Sequence, residues 1–463
     1  MSTVTPAPAP TMAPFADVAV FARNLAFADL PAAVVSQAQR CLLDLIGVAA
    51  AGARTPAAAI ASAYASTQLC GRDRDARILF DGRRAGLAGA AFAGASTIDA
   101  IDAHDGHPLT KGHAGVAVLP ALLAFIDGDV TARAQCDSRE FVTCIVLGYE
   151  IATRAGIALH ATVTDYHCSG AWNALAAAAL GGRLLRFDEN RLRHALGIAE
   201  YFGPRGQILR VCAHPTMLKD GSGWGAHVGV SAVLLAQQGF TGAPAVTTEL
   251  DDERELWSDL GLRWRILEQY FKSYPVCRWA QPAIEAALSL QRAHRLAAED
   301  IVEVGVESFR EAIDLGSQCV YPTTTDEAQY SLTYPLAAAL VYGRVGAGEV
   351  DAATLGDARV KRLVGLVRLS EDPEFSHRFP AERFARVRIA LRDGRTLVSE
   401  PTLARGNLEN PLTDDEMRVK YRDLAGPVLG DVRASRIEDA VGTLRREPAA
   451  VQPLIEDLLT PID

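Results

Sequence analysis

Between residues 15 and 270 small and branched apolar residues return every three or four positions, and no other feature restricts the possible folds so strongly. ADLPAAVVSQAQRCLLDLIGVAAAG and HCSGAWNALAAAALGGRLL both have the period of a helix with a broad apolar face. Convincing period-two strands are rare here. A chain patterned this way stacks helix on helix, and its Ala and Gly content lets the helices approach closely. In DGSGWGAHVGVSAVLLAQQG, Gly221, Gly225 and Gly229 recur at i, i+4 and predict tight helix packing. Their spacing is not that of a dinucleotide-binding loop, and no hydrophobic strand leads into them.

The pattern changes after Tyr270. IVEVGVESF (301–309) alternates like a half-buried strand, and RFARVRIALRDGRTLVSE (383–400) predicts a hairpin around Asp393-Gly394. Helical sequence lies between them, in SLTYPLAAALVYGRV (331–345) and across 351–369. From about residue 405 the helical period returns, with Thr413 and Glu416 placed as a capping box. The expected fold class is mainly α. Residues 15–270 and 405–463 form a large all-α domain, 271–404 an inserted, smaller α+β domain, and 1–14 a disordered tail.

A chain of 463 residues can bury a large core. Its net charge of −10 and the lack of a dense Lys/Arg stripe argue against nucleic acid or an anionic membrane as the main partner. A small anion needs only a few local cations, so it stays open. The eight Cys are scattered with no C-x-x-C pair, which points to reduced thiols in a cytosolic protein. MSTVTPAPAPTMAPF lacks the basic start of a secretory signal. The longest apolar run, 115–126, is too short for a bilayer and contains Pro120. A soluble, cytoplasmic protein is expected.

The densest chemistry lies in DAHDGHPLTKGHAG (102–115). Asp102, His104, Asp105, His107 and His113 offer enough N and O ligands for a metal. The H-D-G-H stretch ahead of Pro108 reads as a loop, which lacks the common face of a helical His pair. A proton-transfer site is therefore the preferred reading, a solvated polar loop the second and a metal site the third. His167 precedes a long Ala-rich helix, whose N-terminus would favour an anion and keep a nearby imidazole neutral; a capping histidine is the plainer alternative. Lys219 precedes the Gly-rich helix, and Lys272 and Arg278 lie where the pattern changes. Each Lys taken alone reads better as a solvated surface residue than as a site residue.

Taken in order, these segments resemble the MmgE/PrpD family, which includes 2-methylcitrate dehydratase, cis-aconitate decarboxylase and iminodisuccinate epimerase. The resemblance is carried by CLLDLIGVAAAG, IDAHDGH…GHAGVAVLPALLA, YHCSGAWNALAAAA, MLKDGSGWGAHVGVSAVLLAQQGFTG, FKSYPVCRWAQPAIEAAL, YSLTYPLAAAL and GNLENPLTDDEMRVKY. It implies an α+β lid over a helical domain, a site between them, usually a homodimer, and chemistry without an organic cofactor; no resident metal is expected. It also implies a catalytic set of Asp102, His113, His167, Lys219, Lys272 and Tyr334. Substrate contacts are expected from His104, Asp105, His107, Lys111 and Arg278. The chain departs from the family pattern D-[FY]-D-D by Asp102-Ala103-His104-Asp105, and from H-P-[GS] by His113-Ala114-Gly115. His167 is followed by Cys168-Ser169-Gly170, where the family often has P-T/S.

The shared reaction of such enzymes removes a proton from carbon next to a carboxylate. A dehydratase of a hydroxylated di- or tricarboxylate such as 2-methylcitrate is expected, with an epimerase or decarboxylase as alternatives. A metal-dependent hydrolase on Asp102, His104, His107 and His113, or a non-catalytic binding protein, are the readings from other classes.

Overall fold

Ala- and Gly-rich helices bring their axes together because little side chain stands between them, and the computed structural model is built on such contacts. It describes residues 18–249, 254–445 and 448–462, so the expected tail at 1–14 lies outside the described residues. The fold is mainly α. At its centre helix α5 (Gly170–Leu184), buried on all sides except at Arg183, packs against α3 (Gly115–Gly128), α4 (Ser138–Thr162) and α6 (Ser222–Gln237). The α5–α6 crossing leaves no room for side chains. A Cβ on Gly225 would lie 2.7 Å from Gly170 Cα, and one on Gly229 would lie 2.3 Å from the Ala174 carbonyl. Helix α1 (Ala32–Gly52) lies against the long C-terminal helix α9 (Asp414–Thr443), which opens on the Thr413–Glu416 capping box and kinks at Gly430.

Helices α1 and α4 are long and apolar enough to cross a membrane by length and composition. Here 67% and 94% of their most apolar windows are buried inside the protein. Hydropathy of this kind is what a helix needs when neighbours cover it on every side.

The apolar interior falls into two large clusters. The first runs through residues 18–271 and returns in 412–459; the second holds residues 276–391. Val211, Leu315 and Tyr330, with Cys212, Cys277 and Trp279 against them, form a small third cluster between the two. Besides a small hairpin, β1 (Asp75–Arg77) with β2 (Arg84–Gly86), the sheet lies in the second region. There β3 (Ile301–Ser308) pairs in parallel with β4 (Val367–Glu371) and antiparallel with β5 (Phe384–Leu391). β5 turns at Gly394 (φ +89°) into β6 (Thr396–Val398) and also pairs with β7 (Thr402–Leu403). Helices α7 (Gln281–His294) and α8 (Thr333–Tyr342) complete this second body.

One element differs from expectation. The helix expected across 351–369 is confined to Ala358–Val364, and Val367 begins β4. A free edge of β3 was available to Val367–Glu371, and pairing with it outweighed local helical preference.

Candidate active site

Most of the loop from Asp102 to His113 is buried, His104, Asp105 and His107 wholly or almost wholly, while Leu109 at its tip is exposed. The loop backbone is fixed from outside and by one bond of its own. Gly106 and Tyr270 exchange N–H···O bonds of 3.0 and 2.8 Å, His107 N donates to the Gly112 carbonyl at 3.0 Å, and Lys420 Nζ donates to the Ala103 carbonyl at 2.7 Å. Asp102 and Lys111 hold left-handed backbone (φ +47° and +50°), and so does Lys219 (φ +48°). Non-glycine residues are rarely kept in this region unless their surroundings impose it.

Between the two bodies lies a cavity of about 150 Å³, lined among others by Asp102, Lys111, His113, Asp220, Lys272 and Arg278. His113 Nδ1 donates to the main-chain carbonyl of Asp105. A carbonyl can only accept, so this bond fixes the tautomer and leaves Nε2 as the basic nitrogen. Burial, with the charges of His104 and Lys272 nearby, holds the His113 pKa well below the ordinary 6.5, so the ring is neutral and ready to accept a proton. The His104 ring stands edge-on 4.2 Å behind it, between Asp99 Oδ1 (3.3 Å) and the Asp105 carbonyl (3.4 Å).

Lys272 Nζ reaches Asp102 Oδ1 at 2.6 Å and the Asp102 carbonyl at 3.0 Å. Burial works against its charge, but the Asp102 carboxylate outweighs that and raises the ammonium above the usual lysine range. Arg278 stacks 4.8 Å from the Tyr270 ring centroid and bonds Gln281, Asn407 and the Arg405 carbonyl. Burial lowers its pKa to about 10, so it stays charged at neutral pH. Lys111 Nζ stands 3.7 Å over the Tyr166 ring.

Asp102, His104 and His113 present donor atoms within 4.8 Å of one another, the spacing of a metal cage. A cation already occupies the carboxylate, because Lys272 Nζ is 2.6 Å from it. A divalent ion there would face a fixed ammonium, so the donor set fits proton transfer better than metal binding.

Several expected site residues point elsewhere. The Asp105 carboxyl faces Tyr149, away from the cavity, and burial with the Asp44 charge pushes its pKa to about 7. It meets His113 through its backbone, not as the carboxylate partner expected of Asp102 or Asp105. His107 lies outside the cavity lining, with Nε2 3.0 Å from Glu268 and Nδ1 accepting from Leu109 N. His167 is outside the cavity lining, its Nε2 3.5 Å from Asp165. Lys219 is buried against Asp326 (2.6 Å) and Gln329 (2.8 Å). The Tyr334 hydroxyl donates to the Glu349 carbonyl at 3.1 Å, within the second core.

Other residues take cavity positions that sequence reasoning missed. Tyr166, Asp220 and Tyr330 are one, one and four residues from His167, Lys219 and Tyr334, so the cavity lining falls on near neighbours of those motif residues. Arg383 lines the cavity just ahead of β5, and its buried Nε has no hydrogen-bond partner among the described residues. Only its place beside an alternating strand pattern could have drawn notice.

The MmgE/PrpD N-terminal domain model matches residues 16–253, and the C-terminal domain model matches 274–446. The chain belongs to the MmgE/PrpD family. Among curated MmgE/PrpD relatives it is 27% identical to cis-aconitate decarboxylase of Aspergillus terreus (strain NIH 2624 / FGSC A1156), with 96% of each chain covered. It is 24% identical to human cis-aconitate decarboxylase, over 86% of this chain and 84% of that one. 2-Methylcitrate dehydratase of Cupriavidus necator matches at 24% over 48% of this chain and 50% of that one. The family's C-terminal model includes α9, although α9 packs its Met417, Tyr421 and Leu424 into the first core. The sequence division and the packing division therefore differ at that helix.

Proposed function

We propose that the chain is a cofactor-independent carbon–oxygen lyase acting on a hydroxylated di- or tricarboxylate such as 2-methylcitrate. One observation carries the reading: a neutral histidine with its tautomer fixed, His113, lines the same cavity as the Lys272 ammonium. A carboxylate acidifies its neighbouring carbon poorly, so the developing dianion needs fixed positive charge where water is scarce. Lys272, Arg278 and Arg383 supply that charge, and His113 Nε2 takes the proton. Loss of a β-hydroxyl then forms the alkene.

A second reading is decarboxylation of an unsaturated tricarboxylate. It is supported by the names of the relatives aligned over most of the chain. Both reactions pass through a carbanion beside a carboxylate, and an epimerase would reprotonate the same intermediate.

The test is proton NMR in D₂O on metal-stripped protein with 2-methylcitrate, citrate, cis-aconitate and iminodisuccinate. Alkene formation from a hydroxylated substrate, lost in His113→Ala, is the expected result. Loss of CO₂ from cis-aconitate would favour the second reading, and exchange without net product an epimerase. Activity that returns only with added metal would overturn the proposal.

A further inference from the structure

A neutral base accounts for half of an elimination. The departing hydroxyl is a poor leaving group and needs a proton as the C–O bond breaks. Several acids line the cavity. Asp102 is held by Lys272 at 2.6 Å, the contact of a carboxylate with its counter-ion. Burial raises the Tyr270 and Tyr330 phenols above their usual range and the Cys277 thiol to about 11, which makes all three weak proton donors. Asp220 stands apart from them.

Every polar atom of Asp220 except one has a partner. Its N donates to Asp99 Oδ2 at 3.2 Å, and its carbonyl accepts from Gly170 N at 3.1 Å. Oδ2 accepts from the Ser169 hydroxyl, whose oxygen accepts in turn from His113 N at 2.8 Å. Oδ1 is buried and has no hydrogen-bond partner among the described residues, yet Asp220 lines the cavity. Since the Ser169 hydroxyl already donates to Oδ2, a proton on this carboxyl belongs on Oδ1. Base and acid are thus joined through Ser169, which touches both.

We propose that Asp220 is the proton donor of the site, delivering its Oδ1 proton to the departing hydroxyl once His113 has taken the proton from carbon. The inference rests on the lyase reading above. His113 Nε2 first takes the α-proton, leaving the C–H electron pair on carbon beside the carboxylate, and that pair then becomes the new double bond. The C–O pair leaves on oxygen, which takes the Asp220 proton and departs as water. A proton returning from His113 to Asp220 through solvent resets the pair, so the balance is substrate to alkene plus water.

The groups facing Asp220 agree with a stored proton. Burial and the Asp99 carboxylate push its pKa well above the ordinary 3.8, Asp102 adds to this, and the bonds from Ser169 oppose it without prevailing. Cys168, Cys212 and Tyr330, the other titratable groups that sense its charge, are all held neutral by burial. The adjacent cation, Lys219, is engaged by Asp326.

Asp220→Asn keeps an acceptor for Ser169 but holds no transferable proton. Alkene formation is expected to fall roughly 10²–10⁴-fold, while solvent exchange at the α-carbon survives within about threefold. Turnover within about threefold of wild type would overturn the inference. So would parallel loss of exchange and turnover, which would mean that Asp220 merely positions His113. Infrared difference spectra of Asp220→Asn against wild type at neutral pH read the proton without any substrate. A carboxylic-acid carbonyl band missing from the variant supports the inference, and no such band overturns it. Wild-type protein that neither forms alkene nor exchanges a substrate proton would sink the lyase reading alone, since the infrared result stands by itself.

Discussion

His113 and Asp105 show how one contact can divide labour between two titratable residues. The Asp105 backbone carbonyl sets the His113 tautomer, while its carboxyl turns into the core with Oδ1 left without a partner among the described residues. This side chain carries a cost that depends on pH. Its pKa rises from 3.8 to about 7 on folding, so the stability of the neutral form is full below about pH 4 and lost as pH rises through 7. Asp105→Asn cannot ionise. Its stability relative to wild type is expected to rise by on the order of 3 kcal/mol between pH about 4 and 8, measured by denaturant titration at several pH values. A difference independent of pH would show that Asp105 ionises freely in the fold. His113 works in the opposite sense: its lowered pKa keeps it a base, so α-proton exchange is expected to persist below pH 6.5.

Among the elements, the 102–113 loop depends most on its surroundings. It has no ladder of its own and is held by Tyr270, Ser169 and Lys420, all far away in sequence. Gly106 is a close point beside the base, where an added Cβ would lie 2.6 Å from the Tyr270 hydroxyl and 2.8 Å from His113 Nδ1. Gly106→Ala is expected to lower turnover at least roughly tenfold and to destabilise the fold by about 1–3 kcal/mol. Steady-state kinetics beside thermal unfolding would check both, and unchanged turnover would mean that the loop yields without moving His113. The regular elements were easier to foresee. Strand β3, the β5–β6 hairpin and the Thr413 capping box follow from alternation, a turn dipeptide and cap spacing, which act over a few residues. Strand β4 was not foreseen, because its partner β3 lies about sixty residues earlier.

At the scale of the whole molecule, buried ion pairs join distant segments. Asp102–Lys272 lies in the cavity lining, and Lys219–Asp326 ties the loop before α6 to the second region. Removing one partner leaves a buried charge unpaired. Lys219→Met is expected to cost about 3–5 kcal/mol, with part recovered when Asp326→Asn is added. A double-mutant cycle in urea measures that coupling, and additive effects would show that the pair does not hold the two bodies together.

The sequence by itself determined the mainly helical class, the change of pattern after Tyr270, and the stretches of chain where chemistry is concentrated. These are periodicities and compositions, written into neighbouring residues. Only the tertiary structure decided which side chains meet. It brought His113 and Lys272 to one cavity, turned His107 and the Asp105 carboxyl away, paired Lys219 with Asp326, and placed Asp220 and Arg383 on the wall. The direction of a side chain and the state of its proton depend on burial and on partners a hundred or more residues distant, such as Asp102 for Lys272, and no local pattern records them.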